Sequence, residues 1–154
     1  MITLIALLIV CALTARSSPA AVTHSPRYLV AVKLNQALRN TPMRGQGFEL
    51  EAAGHRYHLN PALIAAAAGT ESSFGTAGCR TNPRNAYGLA SCSTSSWVPF
   101  FPTWHASIWF FARWYVSRWS PTTDVWTVGR TYCPPCGNRW GDRTAAFMRQ
   151  LGVG

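Results

Sequence analysis

The sequence predicts a mainly α-helical domain with one long ordered loop, and three observations carry that prediction. An alanine-rich run from Ala62 to Ala68 follows Asn60-Pro61 and has high helix propensity. Helical spacing of large apolar residues returns at Trp104, Ile108, Phe111, Trp114, Tyr115 and Trp119. Between these two runs, Cys79 to Pro102 has no helical period and is rich in Ser, Thr, Asn, Pro and Gly. That segment reads as an ordered loop, with at most a short hairpin near Tyr87-Gly88-Leu89, lying opposite the tip of the central helix. Long loops inside compact domains are usually functional.

Taken in order, the chain begins with a fourteen-residue apolar run, Ile2 to Ala15, followed by Ser18-Pro19-Ala20. The run is short for a bilayer span, which needs about twenty residues. It fits a secretory signal over 1–22, although no Lys or Arg precedes it, so an uncleaved anchor stays open. Residues 23–46 read as a linker with a helix outside the domain, broken at Thr41-Pro42 and Gly45-Gln46-Gly47. The domain itself is expected over 47–152. Phe48 to Tyr57 is amphipathic, with Glu49 and Glu51 in its first turn. Asn60 suits an N-cap and Pro61 the first helical position, opening a central helix that is expected to stop at Gly75. Further helices are expected over Thr103 to Trp119, over Asp124 to Tyr132 with Thr123 as cap, and over Trp140 to Leu151.

The chain has 154 residues, with fourteen basic and five acidic side chains and a net charge of +9. The acids are Glu49, Glu51, Glu71, Asp124 and Asp142. The arginines are scattered rather than clustered, which argues against nucleic acid and for an exported protein meeting an anionic envelope. Cys79, Cys92, Cys133 and Cys136 follow the leader in an even count, and the simplest reading is two local disulfides, Cys79–Cys92 and Cys133–Cys136. A four-cysteine zinc site and a thiol–disulfide oxidoreductase are the alternatives. The first lacks a second closely spaced pair and the second lacks its strand–helix context.

Glu71 is the candidate for chemistry. It sits at the C-terminal tip of an apolar helix, where the helix dipole disfavours a negative charge. Burial beside Ala67, Ala68 and Phe74 would disfavour it further, keeping the acid protonated as a general acid requires. Asp124 and Asp142 read as first-turn helix decoration, and Glu49 and Glu51 lie a helix away. The sequence therefore offers one carboxylate, where ordinary glycosidases use two.

Glu71-Ser72-Ser73-Phe74-Gly75, followed by Asn85-Ala86-Tyr87-Gly88-Leu89, resembles the lysozyme-like superfamily of peptidoglycan-cleaving enzymes. The nearest groups are the soluble lytic transglycosylases and the bacterial glucosaminidases. The resemblance covers roughly Gly47 to Gly152. Tyr57-His58-Leu59-Asn60-Pro61, Trp104-His105-Ala106-Ser107-Ile108 and Tyr132 look like further parts of the pattern. The Met-Gln that commonly follows the Asn-Ala-Tyr-Gly phrase in transglycosylases is missing. The resemblance implies cleavage of the glycan strand by Glu71, first as acid and then as base while a substrate hydroxyl closes an anhydro ring. The alternative it implies is an endo-β-N-acetylglucosaminidase, a hydrolase in which Asp124 or Asp142 supplies a second acid. Peptidoglycan strands and the anionic envelope are the expected partners, with a monomeric chain and no cofactor.

Five further residues are candidates for substrate binding. Ser73 bonds the carboxyl or a sugar, or else its own helix end. Asn85 takes the acetamido group or makes a turn. Tyr87 and Tyr132 line the groove or join the core. Trp140 is a candidate stacking platform, whereas Trp97, Trp104, Trp109, Trp114, Trp119 and Trp126 read as core. His55 and His58 are three apart without a third ligand, so no metal is expected. Outside catalysis, two other readings stand: a cell-wall-binding domain without turnover, and a cationic membrane-active protein.

Overall fold

The central helix, α3 (Pro61–Ser72), begins as its first residues require. The Asn60 side chain accepts from the Ala62 amide at 2.8 Å, and Pro61 occupies the first turn, where its missing N–H costs nothing. Every residue from Ala62 to Gly69 is buried. The helix closes earlier than the expected Gly75. Ser73 turns left-handed at φ 50°, and the amides of Ser73 and Phe74 fold back onto the carbonyls of Gly69 and Ala68. The Ser73 bond is the left-handed closure of a helix end, made here without glycine, and the Phe74 amide adds a wider return onto Ala68.

The computed structural model describes residues 24–92 and 94–153; the expected leader over 1–22 lies outside the described residues. Around α3 stand α1 (Pro26–Leu38), α2 (Gly47–Tyr57), α4 (Trp104–Val116), α5 (Val125–Tyr132) and α6 (Arg139–Leu151). The protein is mainly helical, with no strand among the described residues. None of the described helices is long and apolar enough to cross a membrane. The hairpin expected near Tyr87 is replaced by a 3-10 turn, Leu89–Cys92. Leu89 is buried in the main core, and Asn85 takes up its backbone groups, so the segment coils on itself and offers no partner strand.

The linker expectation for residues 23–46 is corrected. Leu34, Leu38 and Met43 are fully buried in the same core as α3, and α1 packs along α2. The Asn35 side chain accepts from the Gly47 amide, tying the two helices at the turn. The cap of α5 is also corrected. Asp124, not Thr123, accepts from the amides of Trp126 and Thr127 at 3.0 and 2.9 Å. Two contacts place α6. Gly141 lies so close to Trp126 of α5 that a Cβ there would meet the indole at 2.6 Å. Thr144 shares a 2.9 Å hydrogen bond with Thr70 of α3. The helix carrying Trp140 is thus held against the end of the helix carrying Glu71.

Candidate active site

Both local disulfides form, Cys79–Cys92 across the loop and Cys133–Cys136 across the Cys-Pro-Pro-Cys turn. The first closes the segment that brings Asn85 to Gly88 over the end of α3. The Ser72 hydroxyl joins the two pieces: it donates toward the carbonyls of Ala68 and Ala86, at 3.0 and 2.8 Å, and accepts from the Gly75 amide at 2.8 Å. Buried and fully engaged, this hydroxyl locks helix end and loop to one another.

Glu71 emerges at that junction, half-buried. The Trp140 indole N–H donates to its Oε1 at 2.6 Å. Its Oε2 lies over Gly88, where a Cβ would stand only 2.9 Å away and where φ is +61°. Glycine is needed there twice over, for the left-handed backbone and for the close approach of the carboxylate. Burial pushes the Glu71 carboxyl above the usual carboxylate range, while the Trp140 hydrogen bond and the charge of Arg143 pull the other way without cancelling it. The result is an acid that holds its proton more tightly than an exposed Glu and still opens onto space. It lines a hollow of about 320 Å³ with Thr70, Cys133, Cys136, Arg139, Trp140 and Arg143.

The other four acids are engaged elsewhere. Glu49 accepts from Trp109 and pairs with His105. Burial works against its ionisation, but those two hydrogen bonds more than offset it, and its pKa lies below the usual carboxylate range. Glu51 pairs with Arg27. Asp124 caps α5, and the Thr127 amide and hydroxyl with the Trp126 amide hold its pKa down. Asp142 accepts from the Trp126 indole at 2.8 Å. Glu71 is the one acid lining its hollow. A larger hollow of about 440 Å³ lies between α1 and the α2–α3 turn, but its one acid is the paired Glu51.

The five substrate-binding candidates fall in different places. Tyr87 is 0% exposed and stacks on Phe111 with ring centroids 4.0 Å apart, so it is core and touches no groove. Asn85 is likewise 0% exposed; its amide donates to the Leu89 carbonyl and accepts from the Leu89 amide, making the turn and leaving nothing for an acetamido group. Ser73 is exposed at the helix end and is not among the residues lining the Glu71 hollow. Trp140 is only 3% exposed and is no open platform; its ring lies under the site and its N–H orients the acid. Tyr132 stacks on Trp140 at 5.1 Å and donates its hydroxyl to the Tyr87 carbonyl, bracing the indole against the loop. Burial first, then the negative charge of Glu71, keeps its phenol protonated.

Of the tryptophans expected in the core, Trp104 is buried and Trp109, Trp114 and Trp119 are half-buried, but Trp97 and Trp126 are exposed. No cluster of three or more metal-ligating side chains occurs among the described residues. The sequence reading missed Ser72, Thr70, Arg139 and Arg143. The two arginines carried a readable signal, a spacing of four on one helix face flanking Trp140. Compared with family models, curated proteins and solved structures, the chain has no match.

Proposed function

We propose that this chain is an exported enzyme that cleaves the glycan strands of peptidoglycan, with Glu71 as its single general acid and base. The observation that carries the proposal is one carboxylic acid, raised in pKa by burial, oriented by the Trp140 N–H and open to a hollow that no other acid lines. A lysozyme-like arrangement of the helices around α3 belongs to the same proposal, as does export, to which two disulfides are suited.

The chemistry follows from having one carboxyl group. Protonated Glu71 gives its proton to the glycosidic oxygen as the C1–O bond breaks. The sugar's own acetamido oxygen closes on C1, in place of a protein nucleophile. Glu71, now a carboxylate, takes the proton of the C6 hydroxyl as that oxygen displaces the acetamido group and forms the anhydro ring. The acid is then restored for another cycle. Trp140 keeps Oε1 occupied, so the proton travels on Oε2, the oxygen beside Gly88.

The test is clearing of purified cell walls, followed by mass spectrometry of the soluble fragments. Wild type is expected to release anhydro-ended fragments, and Glu71→Gln to lose between about a hundredfold and ten-thousandfold in rate. Reducing ends would assign the hydrolase. Equal clearing by both proteins would remove the catalytic role.

A further inference from the structure

The wall of the Glu71 hollow formed by α6 carries two arginines, Arg139 and Arg143, one helical turn apart. Arg139 is positioned by the neighbouring turn: its Nε donates to the Cys136 carbonyl and its Nη2 to the Pro135 carbonyl, each at 3.3 Å. The Cys133–Cys136 disulfide closes that turn, so the two carbonyls sit on a covalently fixed frame. The remaining N–H groups of the Arg139 fork are left for another acceptor. Arg143 makes no side-chain hydrogen bond among the described residues, and its charge reaches Glu71. Glu71 must be protonated to start the reaction. In that state the hollow holds two guanidinium groups and no negative charge. A neutral sugar leaves both without a counter-charge, whereas a carboxylate matches the planar fork of an arginine and forms charge-assisted hydrogen bonds with it.

We infer that Arg139 and Arg143 form a carboxylate-recognising subsite beside Glu71, which selects glycan strands bearing an acidic substituent over neutral strands of the chitin type. The inference rests on the proposed glycan-cleaving role of Glu71 and adds the substituent that the site reads. In peptidoglycan that acid is either the lactyl carboxyl of a muramic sugar that carries no peptide or, where a peptide is joined to it, a carboxylate on that peptide. Because both arginines are exposed, the selectivity weakens as salt rises.

The experiment measures binding and cleavage separately on the full chain. Glu71→Gln is titrated, with tryptophan fluorescence as readout, against four tetrasaccharides. These are an N-acetylglucosamine oligomer, a muramic oligomer with free lactyl acids, the same oligomer with its lactyl groups capped as neutral amides, and one carrying a short peptide. Tighter binding of an acidic ligand than of the capped one, by about tenfold, is expected at low salt. Which acidic arm gains identifies the carboxylate. The gain is expected to vanish in Glu71→Gln proteins that also carry Arg139→Gln or Arg143→Gln, with circular dichroism unchanged. Equal affinity for acidic and capped ligands, or an undiminished preference in both arginine variants, overturns the inference. Cleavage by the otherwise wild-type chain reads the underlying role independently. Cleavage without preference overturns the subsite alone, and preference without cleavage upholds the subsite while removing the enzyme.

Discussion

Replacing Glu71 by Gln separates what the carboxyl does for chemistry from what it costs the fold. Its folded pKa is raised, so the stability that its protonated form supports is fully present below the ordinary carboxylate range and is lost as pH rises through the elevated value. Glu71→Gln is therefore expected to melt higher than wild type at neutral pH and to melt with it at pH well below that range, while cleavage is lost throughout. Trp140→Phe keeps the ring stacked on Tyr132 but removes the N–H that favours the carboxylate. The groups facing Glu71 are Arg139, Trp140 and Arg143 from α6, Tyr132 from α5 and the bare backbone of Gly88 from the loop. Of these, Trp140 and Arg143 pull the carboxyl pKa down. Trp140→Phe is expected to move the basic limb of the cleavage-rate profile to higher pH and to lower turnover by about ten- to a hundredfold through misplacement of the acid. An unmoved basic limb would show that the indole does not act on the proton. Gly88→Ala introduces a left-handed alanine, costing about 1–2 kcal/mol, and sets a methyl against Oε2. Its melting temperature is expected to fall, and its activity to fall further than that loss accounts for.

At the scale of elements, the bond that matters most between helix and loop is the Ser72 hydroxyl. Ser72→Ala leaves the Ala86 carbonyl and the Gly75 amide without their partner, at an expected cost of about 1–3 kcal/mol in a denaturant titration. Amide exchange in the Asn85–Leu89 segment is expected to rise with it. Much of this level was legible beforehand. Asn60-Pro61 announced the start of α3, the aromatic spacing announced α4, and the cysteine spacing gave both local disulfides. Three features were not legible, each for a physical reason. The end of α3 at Ser73 uses a left-handed serine where glycine is the usual signal. Tyr87 and Asn85 belong to a motif that can be read as substrate contacts, but a buried phenol ring and a side-chain amide bonded to its own turn are decided by tertiary packing, which no local pattern states. Ser72 carries no local signal, because its partner, Ala86, is fourteen positions away and contributes only a carbonyl.

At the scale of the whole molecule, α1 belongs to the same core as the proposed catalytic helix. Leu34 and Leu38 are both 0% exposed, so Leu38→Ala is expected to cost about 2–5 kcal/mol, measured as a lowered denaturant midpoint with unchanged slope. A separable linker helix would instead tolerate the change. The sequence hid this because a helix of mildly basic character before a Pro-Gly break looks like a tether, and only the burial of Leu34, Leu38 and Met43 in the core they share with α2 and α3 reveals otherwise. The slenderness of α3 has a last consequence. From Ala65 to Gly69 it presents nothing larger than a methyl group, and α2, α4 and α6 pack around it. Its position is therefore fixed by how near those neighbours can come, and the proposed proton donor rides at its far tip. A saturation library across these five positions should retain wall-clearing clones almost wholly among glycine, alanine and serine at 65–68 and as glycine at 69, where an added Cβ would stand 2.7 Å from the Phe74 ring, with valine and leucine eliminated even though the latter is an excellent helix former. Size tolerance, rather than helical preference, becomes the filter through which this segment can drift.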